Sequence, residues 1–177
     1  MKKEFDSRNR RYTLCILVQD IPGVLSQVAR LFSRKGYNIE SIVSGETDRP
    51  GITRISIELL TDERLIDQIA AQCGKLLPVL AVRVLDSGNS IRREIALIKI
   101  RTRTRDDREE IIQIANIFRA KIIDICRESL TIAVFGTPSK NKALIDTLSD
   151  CEILEIARSG SIAMERGPDN IYGDGKI

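Results

Sequence analysis

Residues 20–41 read DIPGVLSQVARLFSRKGYNIES, and this stretch determines how the first half of the chain folds. Apolar residues recur at the i, i+3, i+4, i+7 spacing that forms one face of a helix, namely at Leu25, Val28, Ala29 and Phe32. A turn with Pro22 and Gly23 precedes this segment, and Gly36 follows it at the position that favours a left-handed helix cap. The stretch therefore predicts an amphipathic helix from Pro22 to Lys35 with a glycine turn at each end.

Alternating apolar and polar residues on both sides of this helix predict strands. In the first half of the chain, strands are expected at 12–18, 37–44, 55–59 and 79–85, and a second helix from Asp62 to Gly74. The resulting order, β-α-β-β-α-β, is that of the ferredoxin-like unit.

The same order of elements recurs in the second half of the chain. A shift of 86 positions lays residues 20–32 on residues 106–118 without a gap, and Gln27 then coincides with Gln113. A polar match of this kind favours duplication over convergence on a common helix pattern. The sequence therefore predicts an α+β protein built from two ferredoxin-like βαββαβ domains.

The two copies differ at the glycines. At the aligned positions Gly23 is replaced by Glu109, and Gly36 is replaced by Ile122. We therefore expect the second copy to keep the scaffold and to lose the glycine turn, with the Glu109 carboxylate at the start of its first helix. A ligand of the first turn is not expected to bind in the same way at the second.

The charge distribution argues against nucleic acid as a partner. The net charge is +3, but residues 1–11 hold five Lys and Arg against two Asp and Glu, which leaves 23 of each in the rest of the chain. A nucleic-acid binder is expected to show a basic face on its folded part. The one basic run, 99–105, has cations at strand spacing with Asp106 and Asp107 directly after it, so we interpret it as a solvated strand face.

Several other functions lack the residues that they need. The chain contains no histidine, the commonest general base and metal ligand at neutral pH, so we expect neither catalytic residues nor a metal site. The longest apolar runs are only a few residues, which is too short to span a membrane. Four scattered cysteines are interpreted as reduced core thiols of a cytosolic protein, namely Cys15, Cys73, Cys126 and Cys151.

The turn before the first helix has the properties of an anion site. The first backbone N–H groups of a helix have no partner within it, and the helix dipole favours negative charge there. Gly23 would let a carboxylate approach the backbone closely, and Asp20 or Asn38 could accept from an ammonium group. A free amino acid carries both charges on one carbon, and apolar surface for its side chain is offered by Val24, Leu25, Tyr37 and Ile39.

A simpler interpretation of this turn stays open at the level of residue pattern. Asp20 would then only cap the helix, as Asp often does at this position. Gly23 would only let the helix pack close to a strand.

Three stretches give the chain a specific resemblance to a known family. D-I-P-G-V-L, L-F-S-R-K-G-Y-N-I-E-S and A-R-S-G-S-I-A (157–163) closely resemble the small, regulatory subunit of acetolactate synthase, also called acetohydroxyacid synthase. The similarity covers residues 11 to about 167. The run G-Y-N-I-E-S together with the later A-R-S-G is specific, whereas D-x-x-G-V-L alone indicates only an ACT domain.

The resemblance implies an effector site shared by two copies of the chain. In this family the N-terminal ACT domains pair side by side into a homodimer, and a feedback amino acid, usually valine, binds at the interface. The glycine turn comes from one chain and the start of the second strand from the other. The matching positions are Asp20, Gly23, Val24, Leu25, Asn38 and Ile39. Many bacterial relatives have Asn in place of Asp20, where an anion attracts the ammonium group and repels the carboxylate.

The resemblance also implies a partner that performs the chemistry. The small subunit of this family activates a large catalytic subunit and confers feedback inhibition in branched-chain amino acid (valine, leucine, isoleucine) biosynthesis. Thiamin diphosphate, magnesium and FAD belong to the large subunit, so this chain is expected to hold no cofactor. It is expected in the bacterial cytoplasm or, if plastid-encoded, in the plastid stroma.

Two other functions stay open, both of them for an ACT-type protein that responds to an amino acid. One is regulation of another biosynthetic enzyme, and the other is regulation of transcription, although no helix-turn-helix or folded basic patch is visible. The main effector among valine, leucine and isoleucine, a possible nucleotide ligand and the stoichiometry of the assembly also stay open. Residues 158–160 either contact the catalytic subunit or only close the second domain.

These inferences divide the chain into five parts. We expect a basic tail at 1–11, an ACT domain for effector binding and dimerisation at 12–86, a linker at 87–94, a second ferredoxin-like domain at 95–164 and a C-terminal tail at 165–177.

Overall fold

The computed structural model describes residues 10–86 and 88–173, which form two compact units. The first unit contains the described residues up to 91 together with 162–173, and the second contains residues 92–161.

The first unit is an antiparallel four-stranded sheet with two helices on one face. Its elements are β1 (Arg10–Gln19), α1 (Val24–Lys35), β2 (Ser41–Glu46), β3 (Ile52–Thr61), α2 (Glu63–Cys73) and β4 (Val79–Leu85). The strand order is β2-β3-β1-β4, so β2 and β4 are the edges. The core lies between the sheet and the helices, where Ile16 of β1, Phe32 of α1 and Ile69 of α2 are at most 1 % exposed.

Local signals in the sequence set the ends of these elements. Gly36 ends α1 as predicted, with a left-handed φ of 70°. The N–H of Tyr37 donates to the carbonyl of Phe32 at 3.0 Å, which closes the helix. Tyr37 is therefore not part of a strand, and β2 begins at Ser41, four residues later than expected. The second helix begins at Asp62 as predicted, and the Asp62 side chain caps α2 by accepting from a backbone N–H of the first turn at 2.8 Å.

The second unit repeats this architecture. Its elements are β5 (Ser90–Arg101), α3 (Arg105–Phe118), β6 (Lys121–Ile125), β7 (Ser129–Gly136), α4 (Pro138–Thr147) and β8 (Ile153–Arg158). Its strand order is β6-β7-β5-β8, and Ile98, Ile111 and Leu144 lie in its core. The prediction of two ferredoxin-like βαββαβ domains is confirmed.

The segment expected to be a linker, 87–94, contains the start of β5. Glu94 is only 2 % exposed, and its carboxylate accepts from Arg158 at 2.9 Å and from the side-chain amide of Asn141 at 3.1 Å. Charged residues are seldom buried unless they are paired. Glu94 is part of a strand because it pairs with Gly136 of β7, a distant partner that the local sequence does not show.

The end of the chain groups with the first unit, although the sequence analysis assigned it to the second domain and a tail. We call residues 162–173 the strap, which begins with β9 (Ile162–Glu165). Ala163 and Ile171 are buried together with Leu17 of β1. Leu17 alternates with the core residue Ile16 along the strand, so the strap covers the sheet face opposite the helices.

The basic run 99–105 carries carboxylate partners along its strand. Nζ of Lys99 lies 3.7 Å from a carboxylate oxygen of Glu155, and Nε of Arg101 donates to Glu152 at 3.0 Å. The interpretation as a solvated strand face therefore holds for Lys99 and Arg101, but β5 ends at Arg101 and α3 begins at Arg105, so it is wrong for the end of the run.

The cysteines are free, and they occupy different environments. Cys15 and Cys73 are buried, and burial raises the pKa of the Cys73 thiol to about 11. Cys126 is exposed after β6, so its predicted place in the core is wrong. The apolar pattern of β6 ends one residue before it, which leaves the thiol in the following turn.

Candidate functional site

The N-terminus of α1 is open. Its N-cap residue, Gly23, has a left-handed backbone with φ 83° and ψ 0°, and no side chain caps the helix. The N–H of Val24 donates to the carbonyl of Ile21 at 3.3 Å. The next two N–H groups, those of Leu25 and Ser26, have no acceptor among the described residues. Two free donors therefore lie at the positive end of the helix dipole.

Both parts of the simpler interpretation of this turn are wrong. The exposed carboxylate of Asp20 does not cap the helix, and the described residues offer it no hydrogen bond or ion pair. The backbone N–H of Asp20 instead donates to the carbonyl of Gly51 at 2.8 Å. A Cβ atom at Gly23 would meet nothing within 4 Å, so close packing does not require a glycine there. Gly23 is needed for its positive φ, and the space beside it is open.

The apolar residues of the turn have different roles. Val24 is 7 % exposed and belongs to the core beneath α1, so it can offer a ligand only its backbone. Leu25 is 43 % exposed and follows directly in the chain. Ile21, earlier in the same turn, is also 43 % exposed, so Leu25 and Ile21 both present apolar side chains at this helix end.

The remaining predicted site residues lie beyond the other end of the helix. Asn38 and Ile39 follow α1, whose 12 residues at 1.5 Å each make it about 18 Å long. The side-chain amide of Asn38 donates to the carboxylate of Glu40 at 2.8 Å, and Ile39 packs against the core. Within one protomer, the structure therefore does not bring Asn38 and Ile39 to Gly23.

The N-terminus of α3, at the corresponding place in the second unit, is closed by side chains. The hydroxyl of Thr104 accepts from the N–H of Asp107 at 3.1 Å. The Asp107 carboxylate accepts in return from the N–H groups of Thr104 at 3.0 Å and Arg103 at 2.8 Å. Hydrogen bonds from Thr104, first its side chain and then its backbone, lower the pKa of Asp107. This capping box occupies the N–H of the third helical residue, Asp107, whose counterpart in α1 is the N–H of Ser26.

The expected place of Glu109 at the start of this helix is wrong. α3 begins at Arg105, five residues before the position that the shift of 86 assigns to the start of α1, so Glu109 lies inside the helix. Its carboxylate accepts from the guanidinium of Arg105 at 2.9 Å. The shift aligned the apolar faces of the two helices and not their ends.

Residues 158–160 close the second unit. Arg158 donates to both carboxylate oxygens of the buried Glu94 at 2.9 Å. Ser159 exchanges backbone and side-chain hydrogen bonds with Ile95, each at 3.0 Å. These contacts give the A-R-S-G run a structural role at the end of β8.

Residues 10–86 and 88–173 contain neither a metal-binding cluster nor a membrane-spanning helix. No group of three or more Cys, Asp or Glu side chains there is arranged to hold a metal ion. No helix in these ranges is long and apolar enough to cross a bilayer.

The fold of the first unit is that of an ACT-type domain. Residues 14–81 match the family model described as AHAS small subunit-like ACT domain. Residues 93–167 match the model described as small subunit of acetolactate synthase. The first match lies within the first unit. The second match covers nearly all of the second unit and continues into the strap.

Known proteins match over most of the chain. It is 42% identical over 160 residues to the acetolactate synthase small subunit of Mycolicibacterium smegmatis, covering 90% of this chain and 94% of that one. It is 41% identical over 156 residues to the probable acetolactate synthase small subunit of Methanothermobacter thermautotrophicus, covering 88% and 93%. The crystal structure of the acetolactate synthase small subunit from Thermotoga maritima superimposes with a TM-score of 0.83 at 42% identity, covering 90% of this chain and 99% of that one.

The chain belongs to the family of acetolactate synthase small subunits. The resemblance carried by the glycine turn, the G-Y-N-I-E-S run and the A-R-S-G run is confirmed.

Proposed function

We propose that this chain is the non-catalytic regulatory subunit of an acetolactate synthase, which activates a large catalytic subunit and confers feedback inhibition by valine. Family membership supports the regulatory role in branched-chain amino acid biosynthesis and implies a large catalytic subunit as the partner. The observation that carries the effector site is the open N-terminus of α1, where two N–H groups behind a left-handed glycine have no acceptor within residues 10–86 and 88–173.

The chemistry of a free amino acid fits this helix end. A carboxylate placed beside Gly23 accepts from the N–H groups of Leu25 and Ser26, where the helix dipole also favours it. The Asp20 carboxylate, which has no partner among the described residues, attracts the ammonium group. The half-exposed side chain of Leu25 contacts the branched side chain of valine.

A homodimer completes the site in this proposal. In their own protomer, Asn38 and Ile39 lie beyond the opposite end of α1, which is about 18 Å long, so the same residues of a second copy supply the other wall. The edge strand β2 begins two residues after Ile39 and offers unpaired backbone groups to a second β2. Pairing at this edge places the start of β2 in the interface.

Feedback follows from a difference in affinity between two states of the assembly. Valine binding selects an arrangement of the ACT dimer that withdraws the support given to the large subunit. A coupling of about 1–3 kcal/mol gives an effect of about 5- to 150-fold, which is ordinary for allosteric proteins. The thiamin diphosphate, magnesium and FAD of the reaction belong to the large subunit, and the assembly works in the cytoplasm or, in a plastid-encoded case, in the stroma.

Reconstitution with the large subunit of the same organism tests this function. We expect the pure chain to form no acetolactate from pyruvate with all cofactors supplied, and to raise the activity of the large subunit. Valine should lower the raised activity to the level of the large subunit alone. Activity of the pure chain, or no effect on the large subunit, contradicts the proposal. Capture of a different biosynthetic enzyme or of DNA from the native cell would favour one of the other two functions.

A further inference from the structure

The strap packs on the sheet of the first unit through apolar side chains. Ala163 is 6 % exposed and Ile171 is 8 % exposed. They form one cluster with Cys15 and Leu17 of β1, both fully buried, and with Leu85 at the end of β4. The two ends of the strap are thus held by the sheet face opposite the helices.

Polar contacts fix the strap at the same places. The guanidinium of Arg54 on β3 donates to the carbonyl of Ala163 at 2.6 Å. Arg83 on β4 donates to the carbonyl of Asn170 at 3.1 Å and lies 3.8 Å from the carboxylate of Glu165. Side chains of two different strands therefore bind the backbone of the strap.

Near its end, the strap contacts the turn between β2 and β3. The hydroxyl of Tyr172 donates to the carboxylate of Asp48 at 3.0 Å. The guanidinium of Arg49 lies over the Tyr172 ring, 3.9 Å from its centroid. The same turn contains Gly51, whose carbonyl accepts from the N–H of Asp20 at 2.8 Å. One continuous series of contacts thus leads from Tyr172 to the residue that begins the open turn before α1.

We infer that Tyr172 is a positioning residue for the effector site, and that the strap holds the turn before α1 in its binding conformation. This inference rests on the proposed function, because it assumes that the effector binds at the N-terminus of α1. Fixing a binding site before the ligand arrives raises affinity, since less ordering is left for the binding step. Coupling between sites is reciprocal, so a bound effector must also hold the strap more firmly on the sheet.

The test replaces Tyr172 in the full chain and measures two quantities. The first is hydrogen exchange of the Asp20 amide, which reports the bond to Gly51 and needs no ligand. The second is the affinity for valine from calorimetric titration. We expect Tyr172→Ala to speed exchange at Asp20 and to weaken valine binding by about 5-fold, the lower end of ordinary coupling between sites. Tyr172→Phe keeps the ring over Arg49 and should have a smaller effect of the same sign.

Met164→Ala is the matched control, because Met164 lies in the strap with 58 % of its surface exposed. It should leave both quantities unchanged. Unchanged exchange at Asp20 in Tyr172→Ala overturns the inference, and so does faster exchange with unchanged affinity. If the wild-type chain itself binds no valine, the proposed function falls, and the exchange comparison alone decides whether the strap holds the turn. Tyr172→Phe keeps the test valid should Tyr172→Ala fail to fold.

Discussion

The first helices of the two units begin in opposite ways on the same scaffold. At α3, Thr104 and Asp107 occupy each other's backbone N–H groups, so side chains of the helix end itself cap it. At α1, Gly23 is left-handed and provides no side-chain cap, and the N–H groups of Leu25 and Ser26 find no acceptor in the described part of the chain. Glycine at the N-cap costs a helix only a few tenths of a kcal/mol relative to a capping side chain, so α1 leaves its end uncapped at little loss of stability. The difference teaches that one helix end serves the fold and the other is available to a ligand.

The largest expected effect comes from placing a carboxylate at the open end. Gly23→Asp should abolish valine binding and feedback inhibition, because like charges about 4 Å apart near a protein surface repel by up to about 4 kcal/mol. The fold should survive, since a Cβ atom there meets nothing within 4 Å and Asp tolerates a left-handed backbone. Inhibition is measured in the reconstituted complex.

Gly23→Asn is the neutral control for this variant. It has the same shape and the same backbone strain, so it separates charge from sterics. It should weaken inhibition less than Gly23→Asp does. Equal loss in the two variants would show that charge at this helix end is not what a ligand recognises.

The next largest effect is expected at the capped N-terminus of α3. Thr104→Ala removes the side chain that caps α3 and should lower the free energy of unfolding by about 1–2 kcal/mol. Inhibition by valine should stay as in the wild type, because the cap serves only the fold. Denaturant unfolding gives the first quantity and the activity of the complex gives the second. A large change in inhibition with unchanged stability would reverse the roles assigned to the two helix ends.

A smaller effect is expected at Asp20. Asp20→Asn removes the exposed charge that attracts the ammonium group and keeps a side-chain oxygen as acceptor. Exposed ion pairs contribute up to about 1 kcal/mol, so valine affinity should fall by at most about 5-fold. Titration at low and high salt checks the cause, since the difference between wild type and variant should shrink as salt rises. A difference that is independent of salt would assign Asp20 a role other than charge.

The smallest effect concerns pH and the closed end. The pKa of Asp107 is lowered in the folded chain, mainly by the hydrogen bond with the Thr104 side chain. The contribution of the Asp107 carboxylate to the free energy of unfolding is therefore fully present above its unfolded pKa of about 3.9. This contribution is lost as the pH falls through the lower pKa of the folded state. Asp107→Asn should lose less stability than the wild type on acidification below about pH 4. The measurement is the free energy of unfolding of both proteins as a function of pH. An equal loss in wild type and Asp107→Asn on acidification would contradict this prediction.

Sequence reasoning was most accurate where a residue acts on its own neighbours. Gly36 at the end of α1 and Asp62 at the start of α2 act through bonds a few residues away, and both were predicted. The closed end of α3 was missed because the internal alignment followed the apolar face of the helix. The pattern of Thr104 followed three residues later by Asp107 was a local signal that could have found it.

Features that depend on distant residues were not predictable from local pattern. Glu94 looked like part of a linker, because Arg158, the partner of its buried carboxylate, lies 64 residues away. The strap was missed for the same reason, since Tyr172 and Asp48 are 124 residues apart. The two halves of the candidate site were proposed together only through family resemblance, and one protomer keeps them at opposite ends of α1.

The most direct test of the central idea is a titration of the isotope-labelled full chain with valine, followed through its backbone amide resonances. The account predicts that the amides of Leu25 and Ser26 shift and saturate together with those of Asn38 and Ile39, because a dimeric site joins both ends of α1. The amides around Thr104 should stay in place. Saturable shifts at the N-terminus of α3, or at Asn38 and Ile39 without any at Leu25 and Ser26, would contradict the account.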